Sequence, residues 1–554
     1  MGLDIGLVLY NLRKENKSSQ REVCKDICAV SNYSKIETGD IIPDIFSLAI
    51  LCERLGFDTL GLTAYICKTD AEYWKWKRHA TRLARLGKFE ELKEHFKQKP
   101  KKKTSLNKHL MNQFELFIEA IILEKVEKDY RQALVFYQRA IDCTCKELLV
   151  EDRITGIYSQ TEIGLVLQYL RCLAENNENE YDYVSARAYS FIEYLNTRHW
   201  DSNCKLKIYA QLVVFWTKYD KRNRNMDSKY YHLKSVYNQL QSTNYLYEMI
   251  NILSYLVTIG KAIGMKADIY EKYLQFFLEL YQELDIPFSE PVFEVYNDQL
   301  VICIVGDYIK KARKCQKQSQ QSISEGICSV ESYSRMENGR NIQRNNYSAI
   351  SEKLEIDERY YLDLVKTNNV AVLQIRKKIA NAFCADNYDE AEKYLNELVD
   401  LLEEKNQQYV LYNRAKINHG KRLLSEKQYY DALCYAFSQD GDISEIEISN
   451  HSFTILEISI IDKIAGALHH MGEDEQAVYY LKALLKNIEA DEALKEINYV
   501  SVCRVKLNLA RYLTDIDRME EARELFMQEM KEALGRKLFT CHIYWLNMGI
   551  RSMM

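Results

Sequence analysis

The sequence predicts an all-α chain made of two copies of one unit, each a small helical module followed by a long array of paired helices. Three observations predict it. First, the 554 residues include only 19 Gly and 4 Pro, against average usage of about 7% and about 5%. These residues mark turns, bulges and strand ends. A chain so poor in them is a weak candidate for a β-sandwich, a barrel or a Gly-rich nucleotide-binding enzyme. Second, a 35-residue segment recurs at an offset of 300. Third, apolar residues follow a helical period through most of the remainder.

The recurrence is gapless. Ile5 to Gly39 reads IGLVLYNLRKENKSSQREVCKDICAVSNYSKIETG, and Val305 to Gly339 reads VGDYIKKARKCQKQSQQSISEGICSVESYSRMENG. Thirteen positions are identical: Gly6, Arg13, Lys14, Lys17, Ser19, Gln20, Ile27, Cys28, Val30, Tyr33, Ser34, Glu37 and Gly39. Weaker likeness continues at an offset of 299, where Gly87–Phe96 matches Asp386–Leu395 and Asp129–Leu134 matches Gln428–Leu433. An internal repeat of this size is a duplicated unit. The predicted domains are residues 1–64, 68–284, 301–362 and 365–554. Segment 285–304, with Pro287 and Pro291, is the expected connector, because proline is costly inside a helix.

Within the first module the helices follow from pattern. Ile5, Val8, Leu9 and Leu12 share one face of a first helix. Ser19 with Glu22 three residues on is a capping box that opens a second helix, whose apolar face is Val23 and Ile27. A tight turn at Cys28-Ala29 leads to a third helix, with Tyr33 and Ile36 inward and Gly39 as a left-handed C-cap. A fourth helix spans about Ile45 to Leu55.

The tags L-R-K…S-Q and S-K-I-E-x-G resemble the Xre/phage-repressor class of helix-turn-helix domains, a lambda-repressor-like fold. The stretch I-C-x-V-x-x-Y-S-[KR]-[IM]-E-x-G, present in both copies, is similar to the N-terminal domain of the Rgg/PlcR/PrgX group of bacterial, peptide-sensing regulators. The specific part of the resemblance covers the two modules, about 120 residues. It implies a major-groove reading helix that starts near Ser31, with Ser31 and Lys35 at base edges and Asn32 on phosphate. Gln20 and Arg21 then lie on the DNA backbone. In the second copy the same positions give Gln320, Gln321, Ser332 and Arg335, with Arg340 as an added cation. It also implies that Arg13/Glu37 and Arg313/Glu337 pair inside their modules and that Tyr33 and Tyr333 are core residues.

The second copy departs from the first. Glu331 replaces Ser31, and a carboxylate accepts from cytosine N4 but repels phosphate. Arg335, Arg340 and Arg344 stand where an ungapped alignment has Lys35, Asp40 and Asp44. Residues 301–360 hold 10 Lys/Arg against 8 Asp/Glu, and residues 1–60 hold 7 against 9. Neither excess is the strong basic patch of a tight nucleic-acid binder.

Residues 68–284 and 365–554 read as helix pairs of tetratricopeptide shape. The pattern is Tyr130…Ala133…Tyr137…Ala140, Tyr429…Ala432, Ile464…Ala467…Gly472…Ala477…Tyr480…Ala483 and Leu509…Tyr512…Met519…Ala522…Phe526. Each pair leaves an apolar face that only a neighbour covers, and the 41 Tyr suit such packing. In the resembling regulators the array binds a short re-imported signalling peptide through Asn side chains, a quorum-sensing arrangement. Asn413, Asn418 and Asn508, with Asn112 in the first half, are the candidates here, since an amide donates and accepts together. The basic run Lys97-Gln-Lys-Pro-Lys-Lys-Lys103 reads as a solvated loop, or as a contact to a DNA backbone or an acidic partner.

Overall charge is −5, so the whole chain is no polycation. No apolar run reaches the ~18 residues of a membrane span, and residues 1–4 do not open a signal peptide. The 15 Cys and 10 His show no metal spacing, and no Walker loop or nucleophile motif occurs. The expectation is a cytoplasmic transcription regulator, not an enzyme, without cofactor. It binds double-stranded DNA and a short peptide as a homodimer or as an intrachain pseudo-dimer. The alternative is a protein-interaction scaffold or sensor on the same repeats.

Overall fold

The computed structural model describes residues 5–57, 63–150, 154–286, 301–354, 365, 370–402, 406–438, 453–490 and 499–535, apart from positions 199, 201, 221–224, 242, 244, 317 and 340–343 within them. The described chain is almost entirely helical. The first module contains α1 (Ile5–Glu15), α2 (Gln20–Cys24), α3 (Val30–Glu37) and α4 (Ile45–Arg54). The capping box forms as the sequence predicts: Glu22 N donates to Ser19 Oγ at 3.2 Å and Ser19 N donates to Glu22 Oε2 at 2.7 Å. Gly39 ends the third helix at φ 78°, a conformation that glycine adopts without a Cβ clash.

A short strand, β1 (Thr63–Ile66), leads into α5 (Lys68–Arg85), α6 (Phe89–Lys97), α7 (Lys108–Ile122), α8 (Tyr130–Asp142), α9 (Glu147–Val150), α10 (Gln160–Asn176), α11 (Tyr181–Asn196), α12 (Ser202–Tyr219), α13 (Met226–Gln241), α14 (Met249–Ala262) and α15 (Asp268–Glu283). Successive helices pack as neighbours, most closely α7 with α8 and α11 with α12. Ala133, Ala140 and Tyr137 are fully buried between them, as the small-residue pattern requires for close approach of two helices.

The second copy begins with a correction. Residues 301–304 were expected in the connector, but they form β2 (Val301–Ile304), paired in parallel with β1 in the register Thr63↔Val301 to Ile66↔Ile304. A run of β-branched and apolar residues next to a free strand edge finds its hydrogen-bond partners there. Pro287 and Pro291 lie outside the described residues. The module continues as α16 (Val305–Cys315), α17 (Gln320–Ser324), α18 (Val330–Glu337) and α19 (Arg344–Lys353). The array that follows is α20 (Val370–Cys384), α21 (Tyr388–Val399), α22 (Gln407–Gly420), α23 (Glu426–Phe437), α24 (Ile455–His470), α25 (Asp474–Ala490), α26 (Tyr499–Asp515) and α27 (Met519–Gly535). Its pairs are α20/α21, α22/α23, α24/α25 and α26/α27.

The two modules repeat one bond between the first helix and the end of the fourth. Asn16 Nδ2 donates to the Leu55 carbonyl and Gln316 Nε2 to the Leu354 carbonyl. The offset is therefore 299 by the fourth helix. This sets Arg344 opposite Ile45, not opposite Asp44 as the ungapped alignment had it. Gly306 shows why its position is shared: an added Cβ would lie 2.3 Å from the Met336 carbonyl oxygen on α18.

Each module sits against the other copy's array. Lys68 N, at the start of α5, approaches the Gly339 carbonyl at 3.4 Å. On the other side α1 lies beside α20, and Lys377 Nζ stands 5.9 Å from the Phe57 ring centre.

The modules differ in how they are held. Module one shares a continuous core with the first array, whereas module two has a small core of its own around Ile309, Ile323, Tyr333, Ile350 and Leu354. The cause is Arg54. It is 1% exposed, and its guanidinium meets Glu162 of α10 at 2.5 and 3.0 Å, the carbonyls of Val23 and Lys25 at 3.0 and 2.7 Å, and the Thr144 carbonyl at 3.3 Å. Its counterpart Lys353 is exposed and, among the described residues, donates only to the Glu325 carbonyl at 2.8 Å.

Arg54→Ala leaves the Glu162 carboxylate buried without its counter-charge, which costs about 3–5 kcal/mol. Lys353→Ala at an exposed site should stay within about 0.5 kcal/mol. Denaturant unfolding of the full chain distinguishes the two. A second prediction concerns Glu53, 2% exposed with its carboxylate accepting from Thr161 N at 3.0 Å. Burial pushes this carboxyl up to about 7 from an ordinary 4.5, against the opposing Thr161 hydrogen bond. Below pH 4.5 both folded and unfolded chains hold the proton. As pH rises toward 7 the unfolded chain ionises first, so stability falls across that window. Glu53→Gln should raise the unfolding midpoint at pH 8 and leave it unchanged at pH 4.5.

Candidate functional site

Each module is organised around one buried carboxylate. Glu37, at the end of α3, accepts from Arg13 of α1 through Nε at 2.6 Å and Nη2 at 2.9 Å, and from Gln20 of α2 through Nε2 at 2.6 Å. Arg13 Nη1 also donates to the Ser18 carbonyl at 3.1 Å. The second module repeats this. Glu337 accepts from Arg313 at 2.6 and 3.0 Å and from Gln320 at 2.7 Å, and Arg313 donates to the Gln318 carbonyl at 2.9 Å. Burial by itself would raise the Glu337 carboxyl, but the hydrogen bonds from Arg313 and Gln320 outweigh it and hold it below the ordinary range. Tyr33 and Tyr333 are fully buried under these triads. Bidentate, charge-assisted bonds of this kind have fixed geometry, so α3 and α18 are set at equivalent angles on their modules.

The outer face of α3 presents Ser31, Asn32 and Lys35, all exposed. Ser31 and Lys35 lie one turn apart on the same side. Arg21 is exposed on α2. On α18 the equivalent face presents Glu331, Ser332 and Arg335, with Gln321 exposed on α17. The Ser332 hydroxyl is bonded to Ser329 Oγ at 3.0 Å in the helix cap. No hydrogen bond or ion pair among the described residues engages the side chains of Ser31, Asn32, Lys35, Glu331 or Arg335. Gln20 and Gln320 sit differently from the expectation: both are half-buried and their amide nitrogens are spent on the triad carboxylates. Arg340 lies outside the described residues.

The Asn candidates separate by burial. Asn413 is 3% exposed and its amide bonds the Tyr409 carbonyl one turn back at 2.8 Å, so it is withdrawn from any surface a peptide reaches. Helical periodicity does not tell an inward Asn from an outward one when a local i−4 bond satisfies it. Asn112 is exposed, with its amide 3.9 Å from Cys143 Sγ. Asn418 is half-buried near the end of α22. Asn508 lies in a cavity of about 270 Å³ formed across α22, α23, α24, α26 and α27. Its Nδ2 donates to Asp462 Oδ1 at 2.7 Å, and Arg504 Nε donates to Asp462 Oδ2 at 3.1 Å. Asp462 is 1% exposed. His419 stacks on Tyr429 at the cavity wall, ring centres 4.1 Å apart. Sequence reasoning missed Asp462 and Arg504, which are 42 residues apart and carry no local motif.

The basic run is largely paired in place: Lys97 with Glu94, Lys99 with Glu115 and Lys102 with Glu72. Among the described residues no cluster of His, Cys, Asp or Glu is arranged to hold a metal ion, and no helix is long and apolar enough to cross a membrane.

No family model matches the chain, and no curated protein matches it. Among solved structures, a Bacillus thuringiensis PlcR complex with the peptide PapR7 and DNA is similar at 19% identity, over 44% of this chain and 83% of that one, with a TM-score of 0.28. A likeness of that size carries no argument about what this chain binds.

The triad and the exposed face make different predictions for substitution. Glu37→Ala strands the Arg13 guanidinium and should cost about 3–5 kcal/mol. Ser31→Ala and Lys35→Ala should each stay within about 0.5 kcal/mol. Thermal unfolding of the full chain measures both. Equal losses in all three would place Ser31 and Lys35 in the structural framework.

Proposed function

We propose that the chain is a DNA-binding transcription regulator in which residues 1–64 and 301–362 are helix-turn-helix heads, and residues 68–284 and 365–554 are tetratricopeptide-like arrays. The observation that carries the reading is the duplicated triad. It holds a short helix in the same pose twice, and each helix offers an exposed polar face with a cation one turn in. A helix presented this way fits a major groove, with its N-terminal residues at base edges. Ser31 and Lys35 read bases, while Asn32 and Arg21 contact the phosphates that position the head. Ser332, Arg335 and Gln321 serve the second head.

The two heads belong to one chain, which acts as an intrachain pseudo-dimer. The parallel pairing of β1 with β2 and the Lys68–Gly339 approach support this, because they tie one unit to the other without a second chain. The second array is the sensor in this reading. Its cavity combines Asn508, which donates and accepts, with the Asp462–Arg504 pair and an aromatic wall, a chemistry suited to a peptide backbone and side chain. A ligand there bears on α22, α24 and α26 together and biases the placement of the heads.

The alternative, a protein-interaction scaffold, draws on Glu331, an anion on the face of α18. Salt dependence separates the two. A gel shift on promoter DNA should weaken steeply between 50 and 200 mM salt, as release of counterions requires. Lys35→Ala and Arg335→Ala should each lower affinity by the ~1–3 kcal/mol of a lost base contact. Undiminished binding in both variants would overturn the assignment of the reading helices.

A further inference from the structure

The two heads share a scaffold and differ where they would read. The triad distances agree within 0.1 Å between copies, 2.6, 2.9 and 2.6 Å against 2.6, 3.0 and 2.7 Å. The glycine C-caps adopt the same left-handed conformation, φ 78° and 88°. Buried Tyr33 is matched by buried Tyr333. The exposed face is matched at its first residue, Val30 and Val330, and differs beyond it. Ser31, Asn32 and Lys35 become Glu331, Ser332 and Arg335, all exposed in both copies. The triad residues, the buried tyrosine and the capping glycine are identical between the two modules, while these three exposed positions on the third helix differ.

The replacements change base chemistry. Ser31 donates or accepts with little discrimination, and Lys35 is a point charge. Arg335 carries a planar fork that matches guanine O6 and N7, and Glu331, one turn earlier on the same side, accepts from cytosine N4. Both groups thus favour a G·C pair or neighbouring G·C pairs, while Ser31 with Lys35 sets a different preference in the same pose. A homodimer presents one reading face twice and so reads two like half-sites. A single chain with two diverged faces has no such constraint.

We infer that the DNA recognised by this chain is a composite of two unlike half-sites, with Arg335 and Glu331 specifying G·C in one of them. The inference rests on the DNA-binding reading above. The test is selection of duplexes from a random pool by the full chain, followed by sequencing. The wild type should enrich two different half-sites at a constant separation, one of them containing G·C. Arg335→Lys should reduce the preference for that guanine by roughly tenfold to a hundredfold, the worth of a bidentate base contact, and leave the other half-site unchanged. The triple substitution Glu331→Ser, Ser332→Asn and Arg335→Lys, at exposed positions that spare the triad, should enrich two like half-sites. Two identical half-sites from the wild type would overturn this inference alone and leave DNA binding intact, as would a single enriched half-site. Absence of any enriched duplex would overturn the DNA-binding reading together with it.

Discussion

The carboxylate of Glu37, and its twin Glu337, is the constraint on which the geometry of both modules depends. A carboxylate out of water is tolerated only when charge and hydrogen bonding are both supplied. Here a guanidinium from α1 and an amide from α2 supply them, and the carboxylate stands at the end of α3. Three helices therefore meet at one acceptor, and none can rotate without stranding it. This is how a third helix of eight residues, too short to be stable alone, is held still with its outer face bare.

Around that shared device the two copies have diverged in anchoring. Arg54 reaches a carboxylate and three carbonyls because a guanidinium has five donors in a planar fork. It ties the first module to α10 through Glu162. Lys353, with a single flexible donor group, meets one carbonyl and stays at the surface. The second module is held from outside, by the β1–β2 pair and the approach of Lys68 to Gly339. The first module is thus continuous with the first array's core, whereas the second keeps a core of its own.

Much of the fold was legible in the residues. Scarce Gly and Pro pointed to helices, and the capping box at Ser19 and Glu22 and the C-cap at Gly39 stood where their local chemistry put them, because caps are satisfied by residues three or four positions away. The Arg13–Glu37 pair came from the family resemblance and was also found. The strand at 301–304 was not legible. Four residues cannot declare a strand when their partner lies more than 200 residues earlier in the chain. The change of offset from 300 to 299 was visible downstream in the sequence, but only the structure placed it before the end of the fourth helix. Of the Asn candidates, Asn508 and Asn413 looked alike in sequence, yet one lines a cavity and the other is buried against its own helix.

The sequence by itself determined that the protein is helical, that a 35-residue segment recurs 300 residues further on, and which polar residues would stand on the third helix of each module. These are consequences of periodicity, capping and repetition, all carried by neighbours in the chain. Only the tertiary structure decided that the two units interlock through a strand pair, that Arg54 is an anchor while Lys353 is not, and that Asp462, Arg504 and Asn508 meet at one cavity. Those facts depend on burial and on contacts between distant segments. A hydrogen bond that becomes strong only when water is excluded is invisible until the chain has folded around it.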